Sequence, residues 1–143
     1  MGLDNGFVGH FKKYPNLEIN LAYFRKYYPL NHWVLKHGTA LNEGNPDEVV
    51  VSKDTFEQLL RLIEPIAEVL QGYTDSQISY YDDNGYPQEL LEKFYTNEFS
   101  PASATTAFAG YKLIKLYRNV LCILELIEEN DTDDFYITFY SSY

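Results

Sequence analysis

At 143 residues with a formal net charge of −10, this chain has the size of one domain, read over 1–143, and a field that repels a nucleic acid backbone. Hydrophobic residues make up 45%, which excludes wholesale disorder, and the single cysteine excludes an internal disulfide, so a reducing compartment is expected. The charge is uneven: residues 1–37 carry a net +3, and the remaining residues a net −13.

In chain order, Asp4-Asn5-Gly6 reads as a turn, and Phe7, Gly9 and Phe11 share one face of a strand that Tyr14-Pro15-Asn16 breaks. Residues 18–28 read as an extended or short helical piece. A helix is expected from Pro29, which suits a first turn, to about Gly38. Residues 39–48 read as a polar loop and Val49-Val50-Val51 as a short strand or lead-in. Ser52 is a good N-cap for a helix carrying Phe56, Leu59, Leu60, Ile63, Ile66, Ala67 and Leu70 and ending at Gly72, with Pro65 as a kink. Residues 73–87 read as irregular, with a turn at Asp82-Asp83-Asn84-Gly85, and Pro87 opens a short helix to Phe94. The strongest helix runs over about 105–129, on a stripe of Leu113, Leu116, Tyr117, Val120, Leu124 and Ile127. Phe135 to Tyr140 reads as a strand that pairs with the first one. The fold class is therefore α+β, with three to four helices on a small antiparallel sheet formed by the N- and C-terminal strands.

Met1-Gly2-Leu3-Asp4, Tyr23-Phe24-Arg25-Lys26, Asn31-His32-Trp33 and Val51-Ser52-Lys53 stand in that order. This arrangement resembles a family of small phage and prophage proteins that open on Met-Gly-Leu-Asp and carry a Tyr-Trp-Arg-Lys segment before a His-x-Trp helix. Phe24 stands where that family has Trp. The resemblance covers about the first seventy residues, and it implies a phage origin and no particular reaction.

Two clusters are candidate sites. Tyr23, Arg25, Lys26, Tyr27, His32 and Trp33 form an aromatic and basic patch suited to an anionic ligand or a base, unless the rings pack inward. Glu125, Glu128, Glu129, Asp131, Asp133 and Asp134 crowd the C-terminal end of the last helix, where the dipole already disfavours negative charge. That broken rule marks a partner-binding cluster, unless Lys12, Lys13, Arg25 and Lys26 neutralise it. His32 and His37 stand five apart, against helical metal pairing, and no metal or cofactor is expected. Cys122 lies in an apolar run and reads as a small buried hydrophobe.

No nucleophile, phosphate loop or acid-base motif is present, so no enzyme is expected. The expectation is a phage-encoded acidic binding protein that occludes a basic surface of a host protein, such as an anti-CRISPR-like inhibitor of a defence system. A nucleotide-signal sponge using the aromatic-basic patch is the alternative, and an immunity protein against a basic toxin is the third. The opening residues lack the pattern of a signal peptide, and no run approaches the roughly 18 apolar residues of a membrane span, so the expected compartment is the host cytoplasm, with no membrane or direct nucleic acid partner.

Overall fold

The structure, a computed structural model, describes residues 3–42, 45–90 and 110–142. Two long strands, β1 (Asp4–Phe11) and β2 (Tyr14–Arg25), lead into α1 (Tyr28–His37). A second hairpin, β3 (Thr39–Asn42) and β4 (Asn45–Val50), precedes α2 (Lys53–Gln71) and α3 (Asp75–Asn84). The helix α4 (Gly110–Glu129) and the strand β5 (Phe135–Ser142) close the order. The strands form one five-stranded sheet in the order β2-β1-β5-β4-β3, with antiparallel pairing throughout. The fold is α+β, and the first and last strands pair as expected, from Asp4 opposite Ser142 to Phe11 opposite Phe135. The sheet is wider than those two strands alone.

The core forms where the inward residues of the sheet meet α2 and α4. Phe7 is fully buried between the rings of Phe56 and Phe139, with centroids 5.1 and 5.2 Å away. Leu59, Ile63 and Leu70 of α2 and Leu113, Leu116, Val120 and Ile123 of α4 complete it. Each such side chain contributes about 1.5–3 kcal/mol relative to exposure.

Several local expectations give way to the sheet. Asp4-Asn5-Gly6 is strand, not turn. Asn5 is buried and donates through Nδ2 to the Tyr27 carbonyl at 3.2 Å. Gly6 is required because a Cβ there would stand 2.1 Å from the Ala22 carbonyl oxygen. Residues 18–25 belong to one strand with Tyr14 and Pro15, and Pro15 is tolerated because β2 is an edge. Residues 39–42 and 45–48, expected as a loop, are strand in β3 and β4, because Val49 pairs opposite Phe139 and draws the segment into the sheet.

The helix boundaries follow local chemistry more closely. Ser52 caps α2 by accepting from the Thr55 amide at 3.3 Å, and α2 runs through Pro65 to Gln71. Residues 73–87 are more ordered than expected. Thr74 and Gln77 make a reciprocal capping box that starts α3, and Gly85, at φ +100°, ends it. Asp82 and Asp83 therefore stand in a helix rather than a turn. Asp82 accepts from the Gly110 amide at 2.8 Å and from the Tyr86 hydroxyl at 2.5 Å, so it anchors the start of α4. Residues 88–90 are helical, as expected after Pro87, and the Leu90 amide donates to the Pro87 carbonyl at 3.1 Å; the rest of that expected helix, to Phe94, and the expected start of the last helix near 105 lie outside the described residues.

Candidate protein-interaction surface

The aromatic-basic patch does not assemble. Tyr27 and Trp33 are each only 2% exposed and belong to the core, with Phe24 and Tyr27 ring centroids 5.3 Å apart. Tyr23, Arg25 and Lys26 are exposed at the end of β2, and His32 is exposed on α1. Periodicity explains the split. Ala22 and Phe24 face the helices, so Tyr23 and Arg25 must face away. The Tyr23 hydroxyl donates to Asp4 Oδ1 at 2.7 Å, and that bond holds its phenol above the ordinary value.

Lys112 and Lys115 of α4 lie against the same end of β2. Their Nζ atoms donate to the Arg25 and Tyr23 carbonyls at 2.5 and 2.6 Å. Burial pulls the Lys112 ammonium down, Asp82 opposes that shift, and Lys26 adds to it. His37 stacks on Trp33 at 4.2 Å with its Nδ1 2.8 Å from the Trp33 carbonyl, so the two histidines do not converge. No group of three metal-ligating side chains occurs among the described residues.

The acidic cluster divides into two kinds of carboxylate. Asp131 and Asp134 build the turn between α4 and β5. Asp131 Oδ1 accepts from the Asp133 amide at 2.9 Å, and its carbonyl accepts from the Asp134 and Phe135 amides at 3.0 and 2.8 Å. Asp134 Oδ1 accepts from the Lys13 amide at 3.0 Å, and its carbonyl accepts from the Lys12 amide at 2.9 Å. This ties the acidic turn to the tip of the β1–β2 hairpin. Glu128 meets Lys53 at 3.7 Å across an exposed pair. Glu125, Glu129 and Asp133 are exposed and make no ion pair among the described residues. Arg25 and Lys26 lie near Lys112, at the other end of β2 from the hairpin tip, so they do not neutralise the cluster.

The hairpin that this turn touches carries a second exposed surface. The first half of β2, from Tyr14 to Asn20, is exposed on both faces. Ile19 lies opposite Gly9, and Leu17 follows on the same face. That face is the core face of the sheet, running out past the helices, and it leaves Tyr14, Leu17 and Ile19 exposed by 62, 49 and 39%. The signal was legible as alternation, with Leu17, Ile19 and Leu21 interleaved by Glu18 and Asn20. A bulge at Leu21 shifts the alternation, since Phe7 pairs with Ala22 but Val8 with Asn20.

A half-open cleft of about 320 Å³ lies at the same end of the fold. Val50, Val51, Ile127, Phe135 and Ile137 supply its apolar walls, and Ser52, Lys53, Thr132 and Tyr136 its polar rim. It exists because β4 ends at Val50 while β5 continues to Phe135. Cys122, expected to be buried, is exposed: Val120 and Ile123 turn inward, and the two residues between them, Leu121 and Cys122, fall on the outer side of the helix. No helix among the described residues is long and apolar enough to cross a membrane. No protein-family model, curated protein or solved structure matches the chain.

Proposed function

We propose that this chain is a non-catalytic binding domain that occludes a basic surface of a protein partner. Its contact surface joins the acidic end of α4 and its turn, with Glu125, Glu128, Glu129 and Asp133, to the β1–β2 hairpin that exposes Tyr14, Leu17 and Ile19. One observation carries the reading. The turn that carries the unpaired Asp133 is tied through Asp134 to the tip of the β1–β2 hairpin, and that hairpin exposes Tyr14, Leu17 and Ile19, so acidic and apolar groups meet there in the combination by which protein interfaces gain speed and affinity. The resemblance to phage proteins supplies a setting, in which the partner is a basic component of a host defence system.

The experiment is capture from a host lysate followed by kinetics on the isolated partner. The expected partner is basic, binds faster at low salt, and binds more slowly to a chain carrying Glu125→Gln, Glu128→Gln and Glu129→Gln. Association unaffected by salt and by the triple variant would overturn the reading.

The cleft favours a second reading, a small-molecule binder with an apolar ligand body and an anionic group near Lys53. A small molecule released on heating the purified protein, and lost from a Val51→Trp variant, would replace the first reading with this one.

A further inference from the structure

β2 is the outermost strand of the sheet, so one of its edges has no strand beside it. That edge is not uniform. Along β1, every second residue turns its backbone groups towards β5, a series continued by the Lys12 amide donating to the Asp134 carbonyl at 2.9 Å. The β2 residues opposite that series are Arg25, Tyr23, Asn20 and Glu18, and their backbone groups face outward. The outward carbonyls of Arg25 and Tyr23 are taken by the ammonium groups of Lys112 and Lys115. Glu18 and Asn20 have no such cover among the described residues. One half of the edge is closed by lysines, which is how natural sheets block strand addition, and the other half is open. Pro15, which lacks an amide proton, limits the open half to the residues after it.

We propose that the open half of β2, from Leu17 to Asn20, receives an extended basic segment of a protein partner as a sixth strand of the sheet. The inference deepens the proposed function and rests on it. The chemistry of the edge specifies the segment. Its backbone exchanges hydrogen bonds with Glu18 and Asn20. Side chains on one of its faces lie beside Leu17 and Ile19, so they are apolar or β-branched. Side chains on the other face lie beside Glu18, so they are Lys or Arg. A second copy of this chain is the wrong occupant, because it would bring a net −10 against a net −10.

The probe is a short, end-capped peptide of alternating Lys and Val, used beside the same peptide N-methylated at the backbone amides of its lysines, which face β2 when the lysines stand opposite Glu18 and Asn20 in antiparallel pairing. Methylation keeps every charge and side chain but removes the donors that strand addition needs. The unmodified peptide should bind the intact chain and slow amide hydrogen exchange at Glu18 and Asn20. The methylated peptide should bind about tenfold more weakly or worse. An Asn20→Pro chain, which loses one outward donor, should melt like the parent and lose peptide affinity; should it fail to fold, the methylated peptide alone decides.

Equal binding of both peptides, or salt-sensitive binding without protection of Glu18 and Asn20, overturns strand addition while leaving the acidic reading standing. No binding of either peptide also overturns strand addition, and the acidic reading is then judged on the captured partner. Protection of Glu18 and Asn20 that rises with protein concentration alone overturns it in favour of a second copy.

Discussion

The Lys115 ammonium donates to the Tyr23 carbonyl at 2.6 Å while lying 4.9 Å from the centre of the Phe24 ring. One side chain thus closes a strand edge and covers the aromatic ring beside it. Replacing Lys112 and Lys115 together with Met keeps the apolar stems but removes both donors. The expected cost in stability is about 1–3 kcal/mol, since two bonds are lost and each is worth about 0.5–1.5 kcal/mol. The larger effect is association. The double variant should form dimers or larger species at high protein concentration, more so in salt, by sedimentation velocity. A variant that stays monomeric would show that the lysines do not guard the edge.

The two kinds of carboxylate at the end of α4 should respond oppositely to neutralisation. Glu125→Gln, Glu129→Gln and Asp133→Asn together should leave the melting temperature unchanged or raised, because charge at a helix C-terminus costs about 0.3–1 kcal/mol per group. Asp134→Ala should lower it, with a loss of about 1 kcal/mol, because the Lys13 amide loses its acceptor. Thermal melts of the two proteins side by side make the comparison.

Leu116 and Leu124 lie on the same stripe of the last helix but differ in burial. Leu116 is fully enclosed, so Leu116→Ala should cost about 2–5 kcal/mol. Leu124 is only partly buried, and Leu124→Ala should cost less than half as much. Urea titrations measure both. Equal losses would show that the stripe, and not the enclosure, sets the energy.

Alkali should unfold the protein through its buried phenols. Burial holds Tyr27 far above the ordinary tyrosine value, and burial together with the Asp82 hydrogen bond does the same for Tyr86. Both keep their protons in the folded chain, whereas the unfolded chain releases them near pH 10. Stability from this source is complete below about pH 10 and is lost above it, by about 1.4 kcal/mol per pH unit for each tyrosine. Tyr27→Phe should make that decline shallower by one proton, in urea melts taken on both sides of pH 10.

Helices were read from the sequence more faithfully than strands, for a physical reason. α2 announces itself locally, through a serine cap, an apolar repeat and a terminal glycine, and all three are found where the pattern puts them. The strand pairing of Asp4-Asn5-Gly6 and of β4 depends on partners far along the chain, such as Tyr140 and Phe139, which no local window contains. The same limit applies to the surface. The acidic cluster is contiguous in sequence and was visible, but its division into turn-forming and unpaired carboxylates depends on Lys13 and Lys53. The aromatic-basic patch was contiguous too, and strand alternation took it apart by sending Phe24 inward and Tyr23 outward.

The pairing of β1 with β5 also sets an order of events in time. Phe7, at the centre of the core, faces Phe139, 132 residues later in the chain. Until residues 135–142 have been synthesised, β1 has β2 as its only strand partner, and its other edge is bare. A contact this distant closes slowly, because a long loop must be ordered before the contact repays it. The nascent chain therefore exposes a hydrophobic strand edge through most of its synthesis, and its yield in a cell should depend on chaperones more than its final stability implies.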